Sequence, residues 1–318
     1  MPERTLIVGS RGSDLALEQA RRVMGRLAGP RELQIIRTSG DRFAERPLGE
    51  TEGVGFFTKE IEQALQSREI DLAVHSLKDL PTALAPGLCL GAVLERDEVP
   101  DVLLVRPDAL DPTRDFPLKD KGSVGASSRR RQAILRTLRP DLVAQPIRGN
   151  VPTRIEKVKR GDHDAILLSR AGVSRLKLDP APLVAFELNP RRWICAPGQA
   201  TIAVELRCDD AEARLRLGAL DCETTSICVK AERDLLVTYG GGCHAPFGSW
   251  AHRDAERFQI HVAAPGADAC FRVRRFAAER LGEAQAEADA WIRAGCPAFE
   301  PQAGDDEDWI ARPARRWH

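Results

Sequence analysis

Apolar and polar positions alternate along this chain in two rhythms. Short apolar runs bounded by turn residues read as strands at Thr5–Val8, Leu33–Arg37, Leu72–His75, Leu88–Val93, Val102–Val105, Ser123–Gly125 and Ala165–Leu168. Between them, Asp14–Leu27, Lys59–Gln66, Ser128–Leu138 and Val151–Val158 carry apolar residues at helical spacing. Strands alternating with helices predict α/β layers. After Asp221 the rhythm changes to one long helix over Cys222–Tyr239, a Gly240-Gly241-Gly242 break, and strand–turn segments. The pattern therefore predicts two α/β domains of similar size and a smaller C-terminal α+β domain. Charge and proline mark one boundary at Glu95–Asp101, and prolines 180, 182 and 190 mark another at Asp179–Pro190. The expected division is 1–97 with about 198–220 returning to it, then 98–197, then 221–318. The tail Gly304–His318 is expected to be loose.

Composition narrows the function classes. The 47 basic and 47 acidic residues cancel, which argues against a general nucleic-acid binder. Aromatic content is only 5%, with none interleaved in Arg129–Arg131 to stack on bases. No apolar run reaches bilayer length. Met1-Pro2-Glu3-Arg4 leads straight into a strand, so no signal peptide is expected and the chain is assigned to the cytoplasm. The eight cysteines form no CxxC pair and the six histidines no HExxH, so no metal site is expected. Of the 47 basic residues only 8 are lysines. Codon bias accounts for surface arginines, but not for arginines gathered in unusual places.

Those places are strand ends, where open α/β sheets bind ligands. Gly9-Ser10-Arg11-Gly12-Ser13 is a strand-to-helix turn that presents backbone N–H groups to an anion, although neither GxGxxG nor GxxxxGK[ST] is present. Strand Leu72–His75 runs into Ser76-Leu77-Lys78-Asp79-Leu80-Pro81, where Asp79 beside Lys78 suits a general acid/base. The same segment also reads as a solvated turn with an incidental ion pair. Ser123–Gly125 leads into Ala126-Ser127-Ser128-Arg129-Arg130-Arg131, with Ser127 or Ser128 as helix cap. Three arginines in a first helical turn oppose the helix dipole, which predicts a bound anion. Arg148, Arg154 and Arg175 follow other strand ends. With Arg11, this set exceeds what one phosphate needs and points to a ligand with many carboxylates. Cys243, in Gly240-Gly241-Gly242-Cys243-His244-Ala245-Pro246, reads either as a small buried hydrophobe or as an accessible reactive or modified thiol. His244 reads as structural.

Together, Ser10–Ser13, Ser39-Gly40-Asp41, Asp71–Pro81 (DLAVHSLKDLP), Ser127–Gln132, Ile147–Arg154 (IRGNVPTR), Ala171–Leu176, Pro197-Gly198-Gln199 and Gly241–Pro246 resemble the hydroxymethylbilane synthase (porphobilinogen deaminase) family. The resemblance runs from Arg11 to at least Pro246. It implies two α/β domains like those of periplasmic binding proteins, plus a C-terminal α+β domain. It implies a cytoplasmic, monomeric transferase of heme and porphyrin biosynthesis with a dipyrromethane cofactor on Cys243. Four porphobilinogen molecules are condensed on that primer, with loss of ammonia, and the linear tetrapyrrole is released by hydrolysis. Asp79 falls on the catalytic position, where it would stabilise the azafulvenium cation formed on deamination. Ser76, Lys78, Ser128, Arg130, Arg131 and Arg154 fall on cofactor-holding positions. Arg11, Ser13, Gln19, Arg148, Arg175 and Gln199 fall on substrate or growing-chain positions. The acetate and propionate of each pyrrole would account for the arginines.

The chain departs from the family pattern in several places. A GGKG-like loop reads Glu52-Gly53-Val54-Gly55-Phe56, and a lysine shortly before it is Glu50. The threonine of GTSSxRR is Ala126, GQGA has become Gly198-Gln199-Ala200-Thr201, and a glutamate before GGC is Gly240. A competing reading is a non-catalytic paralogue that binds a tetrapyrrole precursor or another polycarboxylate, yet such a binder needs neither Asp79 nor Cys243. A solute-binding protein would share the fold but has no use for Gly241-Gly242-Cys243.

Overall fold

The structure, a computed structural model, describes residues 3–38, 58–242, 244–268, 270–298 and 309–314. Cys243, Ser39-Gly40-Asp41 and the loop departures at Glu50 and Glu52–Phe56 lie outside these residues. The chain divides into two compact units, Met1–Asp97 with Gly198–Ile227, and Glu98–Pro197 with Cys228–His318.

The first unit is built on five strands. β1 (Leu6–Ser10), β2 (Arg31–Ile35), β3 (Leu72–Ser76), β4 (Leu88–Val93) and β10 (Ile202–Arg207) stand in the order β2-β1-β3-β10-β4. β1 pairs parallel with β2 and β3, whereas β10 runs antiparallel between β3 and β4. β2 begins two residues before the expected Leu33, because its backbone pairs with β1 from Leu6↔Arg31 onward regardless of the polar residues at its start. Helix α1 (Asp14–Arg26) has Ser13 as N-cap, accepting from the Ala16 N–H, with Asp14 in its first turn and Arg26 in its last. It covers one sheet face through Ala20, Val23 and Leu27, against Leu6, Val8, Leu72 and Val204. Helix α2 (Lys59–Gln66) covers the other through Ile61, Ala64 and Leu65, against Ile70 and Ala73. The period-2 alternation of β1 and β3 thus feeds two cores at once.

The second unit carries two sheets with separate cores. β5 (Asp101–Val105), β6 (Ser123–Gly125), β7 (Val143–Gln145), β8 (Ala165–Ser169), β9 (Val184–Leu188) and β14 (Ala311–Pro313) stand in the order β14-β9-β5-β8-β6-β7. β5 is buried along its whole length. Helices α3 (Arg129–Leu138), α4 (Val151–Lys159) and α5 (Arg170–Arg175) follow β6, β7 and β8. The other sheet is an antiparallel meander of β11 (Gly248–Asp254), β12 (Arg257–Pro265) and β13 (Phe271–Ala278). Ile260, Val262 and Phe276 from this sheet pack on Ala231 and Leu235 of α7 (Glu223–Thr238) and on Ala288 and Trp291 of α8 (Leu281–Arg293). α7 ends where Gly240, at φ +78°, donates to the Val237 carbonyl, a left-handed terminus that glycine tolerates without strain. That terminus explains why a glycine stands at 240. Among the described residues, no helix is long and apolar enough to cross a membrane, and no group of three His, Cys, Asp or Glu is placed to hold a metal ion.

Candidate functional site

In the first unit, β1 and β3 are adjacent and parallel, so their carboxyl ends share one sheet edge. Arg11 and Ser13 leave β1 at that edge, and Ser76, Lys78 and Asp79 leave β3. The chain turns through a short 3-10 segment, Leu77–Asp79, pinned from beneath. Leu77 and Leu80 are buried, the Leu77 N–H donates to the Thr201 carbonyl at 3.0 Å, and the Leu80 N–H donates to the Leu77 carbonyl. Gly198, at φ +70°, passes so close that a Cβ there would stand 2.9 Å from Leu77 Cγ. On this anchored turn the Asp79 side chain points out and is exposed. Among the described residues, no hydrogen bond or ion pair holds its carboxylate. No Lys78–Asp79 ion pair forms among the described residues, while the exposure of Asp79 is what the solvated-turn reading expects. The turn is rigid, and its acid is available.

Neighbouring polar residues are organised around this edge. Buried Gln19 from α1 reaches the Ser76 hydroxyl at 2.7 Å. Gln199 is buried, and its carbonyl accepts from Arg96 Nε at 3.0 Å. Lys78 and Arg11 are half-buried. Beneath β3 lies a group that the sequence reading missed. His75 Nε2 stands 3.1 Å from Glu205 Oε2 of β10, and both side chains are buried. Burial, and then the Glu205 charge, push the nearby Glu62 carboxyl up. The signal for this pair was an acid in the apolar run Ile202–Leu206, which reads as surface charge until β10 is known to lie inside the sheet.

Two departures from the family pattern gain a physical reading in the strap above Leu77. Ala200 sits at φ +68°, a left-handed conformation that glycine adopts freely and alanine does not. Thr201, in place of alanine, buries a hydroxyl that has no partner among the described residues.

In the second unit the arginines are in a different state from the one expected. Ser128 caps α3, accepting from the Arg131 N–H at 3.5 Å, while Ser127 instead bonds to the Ile147 backbone. Arg130 and Arg131 are buried, and both grip Asp101, the first residue of β5, which is 0% exposed. Arg130 Nη2 donates to Asp101 Oδ2 at 2.8 Å, and Arg131 donates through Nε at 3.0 Å and Nη2 at 2.7 Å. Trp193 Nε1 adds a fourth bond at 2.9 Å. Burial alone would push the Asp101 carboxyl up. The charges and hydrogen bonds of Arg131 and Arg130 outweigh it and hold the group far below the ordinary carboxylate range. The anion called for by arginines in a first helical turn is therefore, for two of the three, an internal carboxylate. Only Arg129 is exposed.

Two guanidiniums against one carboxylate leave a net positive charge, and Arg130 Nε is a buried donor without a partner among the described residues. Asn150 caps α4 by accepting from the Thr153 N–H, and Arg154 Nε donates to the Gly149 carbonyl at 2.7 Å. Arg148 is half-buried, and its carbonyl accepts from Lys157 Nζ. Arg175, at the end of α5, is buried. Of the expected site residues, the structure thus gathers Arg11, Ser13, Gln19, Ser76, Lys78, Asp79 and Gln199 in the first unit. Ser128, Arg130, Arg131, Arg148, Arg154 and Arg175 belong to the second.

These features define an α/β protein with a displayed carboxylate in one unit and a cationic set in the other. A family model described as the dipyromethane cofactor binding domain of porphobilinogen deaminase matches residues 6–215. The porphobilinogen deaminase of Syntrophobacter fumaroxidans is 43% identical over 257 residues, covering 79% of this chain and 81% of that protein. A probable porphobilinogen deaminase of Methanosarcina barkeri is 41% identical over 263 residues, 81% of each chain. The chain belongs to the porphobilinogen deaminase family. Among solved structures, the periplasmic VFT2 domain of Bordetella pertussis BvgS matches with a TM-score of 0.40 at 14% identity, covering 68% of this chain and 86% of that one. An ABC transporter protein from Parabacteroides distasonis matches with a TM-score of 0.40 at 12% identity, covering 73% and 74%.

Proposed function

We propose that this chain is a cytoplasmic, monomeric hydroxymethylbilane synthase. It deaminates four porphobilinogen molecules, joins them head to tail on a dipyrromethane held through Cys243, and releases the linear tetrapyrrole by hydrolysis. The observation that carries this reading is the exposed Asp79 carboxylate on a turn fixed by buried leucines, in a chain of this family.

The donor set fits a polycarboxylate. In the second unit, the net positive Arg130–Arg131–Asp101 group and the buried Arg130 Nε, which has no partner among the described residues, suit a group that carries acetate and propionate arms; in the first unit, Lys78 and Ser76 are donors of the same kind. When bound, the dipyrromethane supplies the free pyrrole position at which the chain grows. Asp79 balances the positive charge left on the substrate as ammonia departs, and it accepts pyrrole protons. Its rigid turn matters here, because a preformed carboxylate need not reorganise as the charge develops. Ser76, three residues earlier in the chain, has its hydroxyl oriented by Gln19. Arg11, Arg148 and Arg175 hold carboxylates of substrate and growing chain.

The test is to incubate the purified protein with porphobilinogen and follow ammonia release together with formation of a linear tetrapyrrole. Both are expected, in equal amounts of ammonia released and pyrrole units incorporated. Absence of both, in protein that carries the cofactor mass, would overturn the proposal.

A further inference from the structure

Two cysteines with no part in the proposed reaction meet at one margin of the first sheet. Cys89 lies in β4, opposite Leu206 of β10, and the Cys208 N–H donates to the Gly87 carbonyl at 2.8 Å. The two residues are therefore diagonal neighbours on the same face of an antiparallel pair. Cys208 is exposed and Cys89 half-buried, so both are open to small reagents. Arg214 of α6 (Ala211–Leu217) spans them. Its Nη2 donates to Cys89 Sγ at 3.0 Å and lies 3.5 Å from the Cys208 carbonyl. A guanidinium beside a sulfur stabilises the negative charge on which thiol reactivity depends. The Cys208 thiol is pushed up, first by its interaction with Cys89.

We infer that Cys89 and Cys208 form a reversible oxidation site, with Cys89 as the thiol oxidised first and Cys208 as the resolving thiol. A peroxide is the oxidant. The Cys89 sulfur attacks one peroxide oxygen, the O–O bond breaks, and the leaving oxygen takes a proton, giving a sulfenic acid on Cys89. The Cys208 sulfur then attacks the Cys89 sulfur, and water leaves as the disulfide forms. The pair gives up two electrons and the peroxide takes them. A diagonal pair starts further apart than a disulfide allows. Cys208, however, lies just past the end of β10, on the exposed turn before α6, and that turn supplies the movement. In cytosolic proteins such a bond is transient and serves sensing. Here it would tie the turn after β10, the antiparallel strand of the sheet, to the edge strand β4.

The experiment uses the full chain, reduced and then treated with about one equivalent of hydrogen peroxide, a titration that matches the two-electron step. Peptide mass mapping without reductant should show the Cys89 and Cys208 peptides joined, at a mass two hydrogens below their sum and reversed by dithiothreitol. In Cys208→Ser, a sulfenic acid at Cys89 should be trapped by dimedone. Arg214→Ala, an exposed change, should slow the crosslink on the order of fivefold. The proposal fails if either cysteine goes to sulfinic acid with no crosslink, or if Cys208 joins a different cysteine. An Arg214→Ala rate equal to that of the parent protein would overturn the role given to Arg214.

Discussion

Replacing Asp101 by Asn removes one charge and almost no volume from the second unit, and its effect follows from the geometry. Asn keeps an oxygen for the Trp193 N–H but presents no anion to Arg130 and Arg131, which approach at 2.8 and 2.7 Å with side chains almost wholly buried. Removing one partner of a buried ion pair costs about 3–5 kcal/mol, because the remaining charge stays desolvated. Two cations depend on this carboxylate, so the upper half of that range is expected. The assay is urea unfolding of parent and Asp101→Asn proteins near pH 7, with equal slopes required so that midpoints report stability. Acidity provides a second arm. The folded Asp101 is held far below its ordinary value, so its stabilisation is fully present above the unfolded value of about 3.9 and is lost as pH falls below it. The stability gap between parent and variant should therefore be constant from pH 7 to 5 and should shrink below pH 4. A loss under about 1 kcal/mol, or a gap that widens on acidification, would refute the idea that Asp101 is the buried partner of these arginines.

Three other outcomes are expected. Intact mass of the protein from a cell that makes porphobilinogen should exceed the sequence mass by two pyrrole units, and Cys243→Ser should abolish the excess; an unmodified yet fully active protein would refute the attachment. Ala200→Gly combined with Thr201→Ala should raise stability by about 1–2 kcal/mol in the same urea assay, by relieving a left-handed alanine and removing an unpartnered hydroxyl. Arg11→Ala and Arg175→Lys should keep the cofactor mass yet slow elongation, so that partly extended complexes accumulate in mass spectra; undiminished elongation in both would return these arginines to codon bias.

Much of this architecture is legible in the sequence, because strands such as Leu72–Ser76 and helices such as Asp14–Arg26 declare their periods locally. The Asp79 turn was legible only in part, since the segment alone reads both as an acid/base beside Lys78 and as a solvated turn, and the buried Leu77 and Leu80 that pin it are seen only in the fold. Asp101 was not legible. Within Glu95–Asp101 it reads as one more linker charge, and only the fold shows that the last of those charges begins β5 and neutralises helix α3 from beneath. β10 was hidden for a related reason. Ile202–Arg207 contains Glu205 and Arg207, yet all six residues are buried. Glu205 meets His75, and Arg207 meets Asp71 and Asp210 at 2.8 and 2.9 Å. Buried charges are legible only with their partners, and two of the partners here, His75 and Asp71, stand 130 and 136 residues away along the chain.

The central claim is that Asp79 carries the chemistry, and the most direct measurement is single-turnover kinetics of Asp79→Asn with porphobilinogen. The variant keeps the size of the side chain on an exposed position of a pinned turn, so folding, covalent mass and substrate binding should survive. Loss of a charge that stabilises a cationic transition state typically lowers the rate on the order of a hundredfold or more. The account predicts that loss in the rate of ammonia release, with cofactor mass and substrate affinity close to those of the parent. Near-normal tetrapyrrole formation by Asp79→Asn would contradict it.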